Sequence, residues 1–80
     1  MLPPYDSDEV AEAVQRRMQR AGLVLHRLVV TADDHARAWR IDAWLHDGRE
    51  VVTFFPFSSP EGIHTPAELA DWFAGEAESS

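Results

Sequence analysis

A predicted β-hairpin in the middle of the chain, over residues 36–57, constrains the fold more than any other feature. Apolar and polar residues alternate along its first arm, which is the period of a strand rather than a helix. Asp47-Gly48 follows this arm, and Asp-Gly favours a two-residue turn in which both positions have positive φ. The apolar residues on one side of the first arm are Trp39, Ile41, Ala43 and Leu45.

A two-residue turn determines which residues face one another across the hairpin. The sequence therefore predicts strands over residues 37–46 and 49–57, with a specific set of opposite pairs. These pairs are Leu45 with Glu50, Trp44 with Val51, Ala43 with Val52, Asp42 with Thr53, Ile41 with Phe54 and Arg40 with Phe55.

A further strand is predicted over residues 23–31, because this stretch is rich in Leu and Val and lies between a glycine and a polar turn. Antiparallel pairing with the hairpin brings Arg27 opposite Asp42, a favourable cross-strand pair. In this register His26 joins the apolar side, and we expect a half-buried histidine there rather than a ligand.

A first helix is predicted over residues 7–21, with Asp6 at the N-cap. Glu9 completes a pair that resembles a capping box, and Gly22 is a natural stop.

A second helix is predicted over residues 66–75. Thr65 is its N-cap, Pro66 occupies the first helical position, and Glu68 completes a capping box. Gly75 lies near the end of this helix, and we expect residues 76–80 to fray.

Together these elements predict one small α+β domain over residues 1–80, in the order α-β-β-β-α, with a three-stranded antiparallel sheet and two helices. The double-stranded-RNA-binding domain has the same order and grips phosphate with lysines at the start of its second helix. The corresponding stretch here, Thr65-Pro66-Ala67-Glu68, has the opposite charge, so direct RNA binding is not expected.

One face of the predicted sheet is apolar enough for the helices to cover, and the second face combines charges with large apolar groups. The water-facing side of an antiparallel sheet is usually polar, whereas exposed aromatic groups rimmed by charge mark an interaction surface. The alternative is that the second helix packs there and both faces belong to the core. The second face is predicted to carry Leu25, Arg27, Val29, Arg40, Asp42, Trp44, Val51, Thr53, Phe55 and, at the end of the strand, Phe57.

The net charge of −7 is unevenly distributed. All seven arginines lie within residues 16–49, whereas residues 1–15 and 50–80 carry acids and neither arginine nor lysine. This charge argues against direct binding of nucleic acid or of a membrane and suits a basic partner, unless it serves solubility alone. No apolar run approaches a membrane span, and Met1-Leu2-Pro3-Pro4 is too short for a signal peptide, so we expect a cytoplasmic protein.

The sequence carries no catalytic or metal-binding signature. Cysteine is absent, and the four histidines do not have the spacing of metal ligands. Asp33-Asp34-His35 combines acids with a base in a predicted turn, and a small metal-dependent hydrolase at these residues is one alternative. We expect a protein that is not an enzyme and that holds neither a cofactor nor a metal.

The second predicted helix carries the pattern Thr65-x-x-Glu68-Leu69-x-x-Trp72-Phe73-x-Gly75. With the small size and the acidic charge, this capped helix with an aromatic face resembles some phage-encoded anti-CRISPR proteins. The resemblance implies an inhibitor that occupies the positively charged channel of a CRISPR effector complex and blocks the binding of target DNA. A positive channel also attracts an acidic competitor from a distance.

We therefore interpret the chain as a non-enzymatic protein that binds and inhibits a basic protein or nucleoprotein complex. Aromatic residues dominate the energetics of interfaces, so Trp44 and Phe55 are the predicted apolar anchors. The alternative is a homodimeric structural or adaptor domain that joins through Leu25, Trp44, Val51 and Phe55. The predicted partner-binding residues are Asp33, Asp34, Asp47, Glu50, Glu61, Trp44 and Phe55.

Overall fold

A computed structural model describes residues 2–79 and confirms the predicted α+β architecture and element order. Met1 lies outside the described residues, as does Ser80, which belongs to the segment predicted to fray. Residues 58–63, between the last predicted strand and the second predicted helix, contain a short additional hairpin. The elements are α1 (Ser7–Arg20), β1 (Leu25–Asp33), β2 (Ala38–Leu45), β3 (Glu50–Pro56), β4 (Ser58–Ser59), β5 (Gly62–Ile63) and α2 (Pro66–Ser79).

Glycine ends α1 as predicted. Gly22 has a φ of 75°, and its N–H donates to Gln19 O at 3.0 Å while Leu23 N–H donates to Met18 O at 2.9 Å. These two bonds form a Schellman motif, which satisfies carbonyls left without partners at a helix C-terminus.

The two helix starts differ in their capping. Thr65 N–H donates to Glu68 Oε1 at 3.0 Å, and Glu68 N–H donates to Thr65 Oγ1 at 3.2 Å, which is the predicted capping box. Asp6 occupies the N-cap of α1, but its side chain makes no capping hydrogen bond within the described chain. The predicted pairing of Asp6 with Glu9 through side chains is therefore wrong.

The helix α2 is longer than predicted and continues through Gly75 to Ser79. Ala77 is fully buried, and Arg49 Nη1 donates to Ala77 O at 3.3 Å. Tertiary packing of this last turn overrides the low helix propensity of glycine, so the predicted fraying of 76–79 does not occur.

The hairpin of β2 and β3 has a three-residue loop instead of the predicted two-residue turn. Leu45 N–H donates to Arg49 O at 2.8 Å, and Gly48 N–H donates to Leu45 O at 3.0 Å. Gly48 has a φ of 96°, whereas Asp47 does not have positive φ. The extra loop residue shifts every predicted pair by one position. The observed pairs are Ala38 with Pro56, Trp39 with Phe55, Arg40 with Phe54, Ile41 with Thr53, Asp42 with Val52, Ala43 with Val51 and Trp44 with Glu50.

This shift exchanges the two faces of β3, because neighbouring strand residues point in opposite directions. Val51 is buried, and Phe55 packs against the core. Val52 and Phe54, which the sequence assigned to the covered face, are 41% and 59% exposed.

The pairing of β1 with β2 also differs from the prediction. Arg27 lies opposite Trp44 rather than Asp42, and a bulge separates Leu25 from Arg27. The bulge accommodates one extra residue; His26 is consequently exposed and is not the expected half-buried histidine. Leu25 packs against the core.

Both helices cover the same face of the sheet, so the alternative with one helix on each face is wrong. The core is one cluster between the helices and the sheet, and the opposite face of the sheet has no element over it among the described residues. Within residues 2–79 neither helix is long and apolar enough to cross a membrane. The buried apolar residues are Val10, Val14, Met18, Trp39, Ile41, Ala43, Leu45, Val51, Phe57, Leu69, Ala70, Phe73, Ala74 and Ala77.

Candidate functional site

The first candidate surface lies where the two helices begin. Glu9 of α1 and Thr65 at the cap of α2 line the same groove, and further along Arg17 Nε lies 2.9 Å from Asp71 Oδ1. The helices are therefore parallel, with both N-termini at one end of the molecule.

The turn between β1 and β2 reaches the same end. The connection from α1 to β1 is short, so β1 runs back along α1 and carries its turn at 34–37 toward the end where the helices start. Phe57 N–H donates to Arg37 O at 2.8 Å, which joins this turn to the segment that leads into α2.

Three separate parts of the chain thus bring acids to one end, which we call the acidic end. It holds half of the fourteen Asp and Glu residues. The β1–β2 turn also carries one arginine, Arg37. Glu12, on the same side of α1, is paired with Arg16 and is not included. The acidic end consists of Asp6, Asp8, Glu9, Asp33, Asp34, Glu61 and Glu68.

Two of these carboxylates also stabilise the local backbone. Asp33 Oδ1 accepts from His35 N–H at 3.0 Å and from Ala36 N–H at 3.1 Å, which is an Asx turn. Glu68 forms the capping box of α2. Asp34 and Glu61 are exposed and are free to meet a partner.

The geometry of Asp33-Asp34-His35 suits a turn. The Asp33 carboxylate binds backbone N–H groups, and His35 is exposed. Within the part of the chain that the structure describes, no group of three or more His, Asp or Glu side chains is placed to hold a metal ion.

Asp47 lies at the opposite end of the molecule from the acidic end. Its carboxylate accepts from Arg49 N–H at 3.1 Å and from Arg49 Nε at 2.9 Å. The backbone hydrogen bond from Arg49, aided by the guanidinium, lowers the pKa of Asp47. This carboxylate therefore organises the β2–β3 loop and is separate from Asp33, Asp34 and Glu61.

The second candidate surface is the uncovered side of the sheet, which we call the open face. It mixes aliphatic, aromatic and charged side chains in three rows that cross β1, β2 and β3. The rows are Arg27, Trp44 and Glu50; Val29, Asp42 and Val52; and Thr31, Arg40 and Phe54.

An arginine and a tryptophan stack in the first row. The Arg27 guanidinium carbon lies 5.1 Å from the centroid of the Trp44 ring, within cation–π range. Trp44 is half-buried, while Arg27 and Glu50 are exposed. Of the two predicted aromatic anchors, only Trp44 belongs to the open face.

Asp42 occupies the centre of the open face and is 6% exposed. Arg40 Nη2 lies 3.4 Å from Asp42 Oδ2, and Asp42 Oδ1 is buried with no hydrogen-bond partner among the described residues. Desolvation, followed by the proximity of Asp42, raises the pKa of Glu50.

Phe55, the second predicted anchor, lies on the helix side of the sheet, where the sequence did not place it. Its ring centroid is 6.0 Å from that of Trp72, and the His64 ring centroid lies 4.8 Å from the same Trp72 ring. His64 is buried, and its Nδ1 lies 2.8 Å from Pro56 O. No sequence pattern marks His64, because its partners come from β3 and α2.

No protein-family model matches the chain, and neither the curated proteins nor the solved structures contain a match to it.

Proposed function

We propose that the acidic end binds a basic, nucleic-acid-handling surface of another protein and thereby excludes nucleic acid from that surface. The observation that supports this proposal is the convergence of acids from α1, from the β1–β2 turn and from the segment before α2. These acids are far apart in the sequence and share one end of the fold.

Electrostatic attraction is the expected basis for binding between the acidic end and a basic surface. A patch of one sign increases the rate at which an oppositely charged surface is encountered, and salt weakens that attraction. A protein surface that binds nucleic acid is positive because it neutralises phosphates. An acidic competitor therefore interacts with the same arginines and lysines as the nucleic acid does.

The more specific form of the proposal is inhibition of a CRISPR effector complex, and it rests on the resemblance of the capped α2 to anti-CRISPR proteins. In this form the acidic end occupies the channel that receives target DNA. The capping box of Thr65 and Glu68 supports it by holding the start of α2, and with it the Glu68 carboxylate, in a defined position.

The test compares two double variants with the same change in charge. Asp34→Asn with Glu61→Gln removes two exposed carboxylates from the acidic end, and Glu76→Gln with Glu78→Gln removes two from the last turns of α2. Each immobilised protein is exposed to a GC-rich bacterial lysate over a salt series, and bound proteins are identified and then challenged with DNA. Purified CRISPR effector complexes are assayed in parallel for binding of target DNA.

We expect the wild type to retain a nucleic-acid-binding protein that both salt and DNA release. The acidic-end variant should bind this protein about tenfold more weakly, and the α2 variant should match the wild type. An equal loss of partner binding in both variants would reject the proposal. Binding of a partner that neither salt nor DNA releases would also reject it. Effectors that still bind target DNA at saturating protein would reject its CRISPR form.

A further inference from the structure

We propose that the open face joins two copies of the chain in a two-fold symmetric dimer, in which Arg27 of each copy pairs with Glu50 of the other. This inference goes beyond the proposed function, because it concerns a different surface and a different partner.

The apolar content of the open face gives a reason for it to be covered. Val52 and Phe54 are 41% and 59% exposed, and Val29 and Trp44 are half-buried beside them. Two sheets can pack face to face about 10 Å apart with their side chains interdigitated. A second sheet of the same kind would remove these groups from water.

The charges of the open face favour a second copy over a basic partner. Arg27 and Arg40 balance Asp42 and Glu50 on this face, although the whole chain carries −7. A basic protein finds no excess of negative charge there. An identical face can place an acid of one copy against a base of the other.

The register specifies how this complementarity arises. Arg27, Trp44 and Glu50 form one row, with Trp44 in the central strand. A two-fold axis parallel to β2, in the plane between two facing sheets, places β1 of one copy over β3 of the other. Arg27 of each copy then faces Glu50 of the other copy. The two Trp44 rings lie opposite each other at the axis.

The other rows are compatible with the same axis. Val29 faces Val52 of the second copy, and Thr31 faces Phe54 of the second copy. Arg40 and Asp42 are in the central strand, so each of them faces its own counterpart across the axis. The ion pair that they form within each chain leaves this part of the face without net charge.

The axis has a consequence for the acidic end. Rotation about an axis parallel to β2 preserves the direction of the strands, so both acidic ends lie on the same side of the dimer. Two acidic ends side by side would give the dimer two binding sites for one basic surface.

The test uses two variants that complement each other. Arg27→Glu and Glu50→Arg each place like charges in both contacts of a homodimer, whereas a mixture of the two chains restores opposite charges in both contacts. Analytical ultracentrifugation of the full chain, from about 5 μM to 1 mM, covers weak and moderate dimers. The matched controls are Arg20→Glu and Glu76→Arg, on exposed positions of the helices.

We expect the wild type and both controls to dimerise reversibly. Each open-face variant alone should dimerise about a hundredfold more weakly, and mixing the two should restore dimers that contain one chain of each kind. Phe54→Ser should weaken the dimer without mixed-chain rescue. Circular dichroism verifies that every variant is folded.

A wild type that stays monomeric at 1 mM overturns the proposal, as does a mixture that contains no dimer with one chain of each kind. Neither result affects the test of the acidic end, because Arg27 and Glu50 lie outside it. Partner capture and dimerisation can therefore fail independently.

Discussion

Val51 and Val52 are neighbours in β3 and lie on opposite faces of the sheet, with Val51 7% exposed and Val52 41% exposed. The register expected from an Asp-Gly two-residue turn would exchange these environments. The observed three-residue loop ending in Gly48 is therefore open to a direct test by mutation.

Val51→Ala should lower the free energy of unfolding by about 1.5–3 kcal/mol, since it removes buried methyl groups and leaves a cavity. Val52→Ala should change it by less than about 0.5 kcal/mol, as for most exposed positions. Urea denaturation of the two variants, at a concentration where the chain is monomeric, measures both values. A larger cost at Val52 would instead favour the register of the two-residue turn.

The same substitution should have opposite effects at two glycines. Gly22 has a φ of 75°, and an added Cβ would be strained there, whereas Gly75 is helical and has open space around it. Gly22→Ala should cost about 1 kcal/mol, and Gly75→Ala should add about 0.5–1 kcal/mol. Thermal unfolding of both variants measures the difference, and a stabilising Gly22→Ala would contradict the Schellman motif.

The N-caps of the two helices should contribute different amounts to the free energy of unfolding. Thr65→Ala removes a reciprocal capping box and should cost about 1 kcal/mol. Asp6→Ala removes only a charge near the N-terminus of α1 and should cost about 0.3–1 kcal/mol, with an effect that salt reduces. Denaturant unfolding at low and high salt separates the two, with Thr65→Ser as the control that retains the hydroxyl.

Glu50 should make stability depend on pH with a definite sign. Desolvation and Asp42 raise its pKa in the folded state above the ordinary value of 4.5, while Arg40 opposes the rise. The folded chain then binds more protons than the unfolded chain between the two pKa values, so the free energy of unfolding falls as pH increases through that window.

Glu50→Gln should remove this fall. The Tm of the variant minus that of the wild type should increase from pH 4.5 upward, at a concentration where the chain is monomeric. Asp47 has a pKa below its ordinary value of 3.8, so its effect on stability falls below the pH range of this test. Glu76→Gln, on the exposed side of α2, is the control, and an unchanged Tm difference across the range would contradict the expected sign.

Much of the fold could be predicted because its signals are local. The Thr65 and Glu68 cap, the Gly22 stop and the alternation through β2 each depend on residues a few positions apart. The element order and the three-stranded sheet followed from these signals. The choice of Asp33, Asp34 and Glu61 as candidate contacts required only that acids lie in turns.

The tertiary structure decided what depends on distant parts of the chain. Asp-Gly permits more than one loop. The longer loop is accompanied by burial of Val51 in the core and by contact of Phe55 with Trp72 of α2, which takes Phe55 away from the predicted interface. The last turn of α2 is helical because Ala77 is buried and Arg49 binds its carbonyl, although Gly75 by itself favours an end. The sequence determined where helices and strands form, since hydrogen bonding and side-chain period act over a few residues. Only packing could determine strand register, the open face and the meeting of acids at one end, since these depend on contacts between segments far apart in the chain.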